Sequence, residues 1–171
     1  MKFSTKLFAS AVAALALFFT TNADAQNSRK FGLGVNLGIP TSEFYSFAIG
    51  ADARLQFDVS KQVSIPLVTG YTHLIGKDLD NNVKVSDFGY IPLKTGLKVF
   101  FDESGSGLYG LGEIGAAFGV TKNAGTSFLY APTLGYSFSS GLDLGIKYEG
   151  LSKGSGDQNQ VALRIAYGFK L

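Results

Sequence analysis

Val161-Ala162-Leu163-Arg164-Ile165-Ala166-Tyr167-Gly168-Phe169-Lys170-Leu171 closes the chain. Side chains on an extended strand point alternately to two faces. Val161, Leu163, Ile165, Tyr167, Phe169 and Leu171 therefore share one face, and Ala162, Arg164, Ala166, Gly168 and Lys170 the other. A face this apolar must be covered. The opposite face, small or charged, leaves room for long polar side chains.

The same sorting by parity recurs toward the N-terminus. The bulky sets are Phe31, Leu33, Val35, Leu37 and Ile39, then the odd positions 45–59, 63–73 and 91–101. They continue with the even positions 128–138 and with Leu142, Leu144, Ile146 and Tyr148. Together with the closing segment these sets hold 41 residues, thirteen of them aromatic, and no Asp, Glu, Lys, Arg or Gly. The complementary positions hold ten charges, nine glycines and one aromatic, Phe100. An eighth segment, 108–120, changes frame: Tyr109 and Leu111 follow one parity, Ile114, Ala116, Phe118 and Val120 the other. One extra residue near Gly112-Glu113 would reconcile them as a β-bulge, with Glu113 turned inward.

Eight strands predict a closed barrel, and volume decides which face is inside. An eight-stranded barrel encloses only a layer of side chains or one small ligand. Some forty bulky residues exceed that space, whereas glycines and short residues leave room for Lys and Arg. The bulky face is then outside, in lipid, where a Lys or Arg near the midplane would cost about 2–4 kcal/mol. The fold class is all-β: an eight-stranded antiparallel up-and-down transmembrane β-barrel. Aromatics crowd the strand ends, with Phe31, Phe57, Phe101, Tyr109, Phe138, Tyr167 and Phe169 toward one rim. Tyr45, Phe47, Tyr71, Phe128, Tyr130 and Tyr148 lie toward the other, as interfacial girdles require.

Connections alternate in length. Residues 60–62, 102–107 and 139–141 make short turns; 40–44, 76–89, 121–127 and 151–159 make the opposite loops, of which 76–89 is the longest. Short turns beside the termini match a barrel with both ends in the periplasm. Lys2, Lys6, an apolar run over 7–19 and Ala23-Asp24-Ala25 read as a cleaved secretory leader. This divides the chain into a signal peptide, 1–25, and a barrel domain, 26–171. The apolar run is too short for a spanning helix, which needs about 20 residues.

The formal net charge of +2 falls to +1 once Lys2, Lys6 and Asp24 leave with the leader, which is no footprint for nucleic acid. With no cysteine there is neither a disulfide nor a thiolate metal site.

The inward charges need partners, because an unpaired charge in a confined interior is costly. Asp52, Arg54, Asp58, Lys94, Lys98, Glu113, Asp143, Lys147, Glu149 and Arg164 are expected to form an ionic network filling the barrel, with Lys170 at its end. Glu149 and Arg164, on the last hairpin, are expected to be direct neighbours.

Three motifs suggest other chemistry. Gly110 to Gly115 satisfies G-x-G-x-x-G but lacks the strand–helix context of a dinucleotide site. Asp78-Leu79-Asp80-Asn81-Asn82 opens like a calcium loop, yet Val83 and Gly89 occupy positions that an EF-hand reserves for Gly and Glu. His73 is the only histidine; Thr72 points to the opposite face, and Asp78 and Asp80 could approach from the loop. Its expected place is the outer headgroup boundary. No metal site, cofactor or catalytic residue is expected.

The pattern, the leader and the closing strand from Arg164 to Leu171 resemble the small OmpA/OmpX-type eight-stranded outer-membrane barrels. The resemblance implies an outer-membrane protein in contact with lipid and lipopolysaccharide, monomeric, inserted by the barrel-assembly machinery. It also implies that Tyr167, Phe169 and Leu171 mark the strand read during assembly, although family members usually end in an aromatic. Members differ in role, so three functions stay open: a non-catalytic structural or surface protein with a side-chain-filled interior, a narrow solute channel, or a lipid A-modifying acyl enzyme.

Overall fold

The computed structural model describes residues 29–79, 83–121, 124–153 and 156–171. The leader expected over residues 1–25 lies outside the described residues. Ten strands follow in order: β1 (Arg29–Pro40), β2 (Tyr45–Asp58), β3 (Val63–Gly76), β4 (Asp78–Leu79), β5 (Val83–Lys84), β6 (Phe88–Phe100), β7 (Gly107–Gly119), β8 (Thr126–Ser137), β9 (Leu142–Ser152) and β10 (Gln158–Lys170). Eight of them close a barrel in the order β1-β10-β9-β8-β7-β6-β3-β2, all pairs antiparallel. The two-residue strands β4 and β5 form a separate hairpin between β3 and β6. Barrel strands run from 11 to 14 residues, enough for the 9–11 that a tilted strand needs to cross a bilayer.

Closure joins the termini. β1 and β10 pair from Lys30 opposite Lys170 to Pro40 opposite Gln160, and the Leu171 N–H donates to the Arg29 carbonyl at 2.9 Å. The β2–β3, β6–β7 and β8–β9 turns lie at this terminus end. The other four connections, with the β4–β5 hairpin, lie at the loop end.

The bulky faces point outward. Leu33, Leu97, Ile114, Leu134 and Ile146 remain 51–62% exposed at mid-barrel, an apolar band that hydrocarbon would cover. Rings meet along both rims: Tyr136 with Phe138 at 4.7 Å and Tyr167 with Phe169 at 4.9 Å at the terminus end, and Tyr130 between Phe128 and Tyr148 at the loop end.

Two frames differ from the sequence expectation. Strand β7 has no bulge: its ladders with β6 and β8 run without a register shift through Gly112 and Glu113. Glu113 still faces in, but so do Tyr109 and Leu111, while Gly110 and Gly112 face out. Tyr109 therefore leaves the terminus-end girdle. It fits inside because β8 and β9 offer glycines beneath its ring; a Cβ on Gly135 would lie 2.4 Å from the phenol. The bulge is in β2 instead, between Tyr45 and Phe47. It takes Tyr45 out of the outward set and packs it against the interior apolar cluster.

Candidate functional site

The barrel interior is built from alternate residues of all eight barrel strands. Its loop end is apolar: Ala48, Leu74, Tyr90, Ala117, Leu129, Ala131 and Leu151 form one buried cluster, with Tyr45 and Phe88 against it. Small residues on β2, β7 and β8 leave the space that the larger ones fill.

Beneath that plug lies a four-charge group. Glu149 accepts hydrogen bonds from Tyr90 Oη at 2.6 Å, Lys94 Nζ at 2.9 Å, Lys147 Nζ at 3.0 Å and Gln160 Nε2 at 3.0 Å. Lys94 also reaches Glu113 at 3.1 Å. Two cations thus face two carboxylates, each buried to about 5% exposure or less. Buried charges persist only when paired and hydrogen-bonded in this way.

A second group sits nearer the termini. Arg164 grips Asp52 through Nη2 at 2.6 Å and Nε at 3.0 Å, and touches Asp143 through Nη1 at 3.3 Å. Asn36 Nδ2 donates to Asp52 at 2.7 Å. Asp143 accepts from Lys98 Nζ at 2.7 Å and from Tyr109 Oη at 2.6 Å. The Lys98 ammonium lies 3.8 Å from the centre of the Tyr109 ring, so the inward tyrosine supplies both a hydrogen bond and a π face. Lower still, Lys30 Nζ meets Asp58 at 2.9 Å, and Gln56 and Ser64 complete that rim. Arg54 contacts Glu113 at 3.4 Å.

The ten charges singled out from the sequence are therefore divided among three levels. Glu149 and Arg164 are not neighbours. The β9–β10 register sets Glu149 opposite Gln160 and Arg164 opposite Gly145, four residues apart along the hairpin. Parity assigns a face and leaves the partner open; Arg164 finds its carboxylate two strands away, on β2. Lys170 is exposed at the mouth. The neutral members Asn36, Tyr90, Tyr109 and Gln160 escaped sequence selection, which weighed charges alone, although Asn36 and Gln160 have inward parity.

His73 lies on the outer wall near the loop end. Its Nδ1 is 3.1 Å from Tyr71 Oη, and its Nε2 is 3.1 Å from Asp87 Oδ2. The partner is Asp87; Asp78 pairs at 4.0 Å with Lys84 across the small hairpin, and Asp80 lies outside the described residues. The Gly76 N–H donates to Asp87 Oδ1 at 2.9 Å. That bond first, and His73 second, hold the Asp87 carboxyl below its ordinary range. Among the described residues, no serine side chain is hydrogen-bonded to Tyr71, His73 or Asp87. Gly110 to Gly115 lies within β7, without the helix that a dinucleotide site requires.

No family model matches the chain, and no curated protein sequence does. Solved structures do. Ail, the attachment invasion locus protein of Yersinia pestis, was crystallised with the heparin analogue sucrose octasulfate; it matches with a TM-score of 0.59 at 15% identity, over 85% of this chain and 100% of its own. The N-terminal barrel domain of Pseudomonas aeruginosa OprF gives 0.58 at 13% identity, over 84% and 100%. Neisserial surface protein A gives 0.55 at 15% identity, over 86% and 100%. The chain has the fold of the small eight-stranded outer-membrane barrels. At these identities the likeness concerns architecture; roles belong to each protein's own surface.

Proposed function

We propose that the protein is a monomeric, non-catalytic barrel of the outer membrane, with its termini and short turns in the periplasm and its loops outside. The observation that carries this reading is the continuous outward band of aliphatic and aromatic side chains, flanked by two rings of aromatics. Lipid and the acyl chains of lipopolysaccharide are its natural cover. The leader, residues 1–25, directs export, and the barrel-assembly machinery inserts the chain by way of the strand carrying Tyr167, Phe169 and Leu171.

The interior is filled rather than conducting. The apolar plug at one end and the coupled ion pairs at mid-depth favour a structural or surface-interaction role over a solute channel, because long charged side chains would have to leave a path. Planar-bilayer recording tests this directly. No resolvable conductance is expected, and steady discrete openings would overturn the filled interior. The described loop-end charges, Glu43, Lys77, Asp78, Lys84, Asp87, Lys153 and Asp157, are mixed in sign. That balance does not favour a polysulfate like the one bound by Ail.

A further inference from the structure

We propose that the terminus end of the barrel interior holds a small oxyanion, a phosphate, sulfate or carboxylate group, on the Arg54 guanidinium. A cavity of about 230 Å³ opens there, lined by Lys30, Arg54, Lys98, Asp143, Arg164 and Lys170 with the Ser104, Ser106 and Ser137 hydroxyl-bearing segments at its mouth. One water occupies about 30 Å³ in the liquid, so the space admits a tetrahedral anion with part of its hydration.

The charges around it do not cancel. Lys30 takes Asp58, Lys98 takes Asp143, and Arg164 takes Asp52 with a share of Asp143. Arg54 is left with only a share of Glu113, at 3.4 Å, and Lys170 has no ion pair among the described residues. The group above then holds three cations, Arg54, Lys94 and Lys147, on two carboxylates, Glu113 and Glu149. Arg54 reaches Glu113 only at 3.4 Å, and its side chain is 7% exposed. Its Nε–H is buried with no hydrogen-bond partner among the described residues. A guanidinium presents a planar fork of donors suited to two oxygens of one anion, and leaving such a donor unmet inside a protein is costly. With the guanidinium turned from Glu113 into the cavity, an oxyanion seated there meets that donor and neutralises the surplus charge, with Lys170 closing over it from the rim.

The test follows the Arg54 Nε–H signal by NMR in the protein reconstituted in lipid nanodiscs, titrated with inorganic phosphate at constant ionic strength balanced by chloride. Saturable shifts at Arg54 Nε–H and at the cavity-lining Gly168 amide are expected, and the Gly168 signal should report phosphate binding about tenfold weaker in Arg54→Gln, the loss of a charge-assisted fork. Lys170→Gln, at an exposed position that leaves the barrel wall intact, is expected to weaken binding severalfold. A short peptide with a free C-terminal carboxylate, compared with its amidated form, separates a peptide terminus from a free anion as the source. No saturable shift with phosphate or the peptide acid overturns the proposal, as does an equal shift with chloride alone. If Arg54→Gln fails to fold, unchanged phosphate affinity in Lys170→Gln overturns it.

Discussion

Arg164 of β10 grips Asp52 of β2 across the intervening strand β1, with Nη2 and Nε at 2.6 and 3.0 Å from the two carboxylate oxygens. The bridge passes over Gly34, where a Cβ would lie 2.9 Å from Arg164 Nη2 and 3.0 Å from the Ala166 methyl. A glycine on the inner face of β1 is thus what lets two strands that are not neighbours share an ion pair.

Gly34→Leu should therefore lower stability by about 3 kcal/mol, through overpacking and displacement of a buried charge pair. Gly112→Ala, on the outer face with open space around it, should change stability by less than about 0.5 kcal/mol. Urea midpoints of the two variants in the same lipid give the comparison.

A double-mutant cycle with Asp52→Asn and Arg164→Gln should show coupling of about 1–3 kcal/mol. The cycle between Glu149→Gln and Arg164→Gln should be additive within about 0.5 kcal/mol, since the two residues serve different groups. Coupling in the second cycle alone would reverse the assignment of partners.

Tyr109→Phe removes the 2.6 Å hydrogen bond to Asp143 and should cost about 1–3 kcal/mol. If β7 carried a bulge and the ring faced lipid, the same change would be close to neutral. Equilibrium unfolding of this one variant distinguishes the two frames.

The Asp87 carboxyl fastens the longest loop to the end of β3 by accepting from Gly76 and meeting His73. Its pKa is depressed in the folded state, so the fastening is fully present above the ordinary carboxylate range and is lost as pH falls through the lowered value. Hydrogen exchange at the Gly76 amide should be slow at neutral pH and speed up beyond its intrinsic trend only in acid. Asp87→Ala should give fast exchange at both.

Much of this architecture was legible in the alternation of residues such as Leu163, Arg164 and Ile165, because a closed barrel imposes one period on every strand. Strand β7 was misread where inner and outer demands overlap: Tyr109 is bulky enough for lipid, yet its hydroxyl and π face serve Asp143 and Lys98 inside. The Tyr45 bulge left no mark in the pattern, since aromatics at strand ends suit either face. Partner choice was invisible for a different reason. Arg164 reaches over β1 through space that depends on Gly34, and hairpin adjacency alone pointed to Glu149.

The most direct test of the account places nitroxide labels along β10 in lipid vesicles and measures collision with oxygen and with a water-soluble nickel chelate. Labels at Leu163 and Ile165 should meet oxygen strongly and the chelate weakly, while a label at Ala162 should meet neither. Labels at Leu163 and Ile165 shielded from both reagents would place the bulky face in a protein core and contradict it.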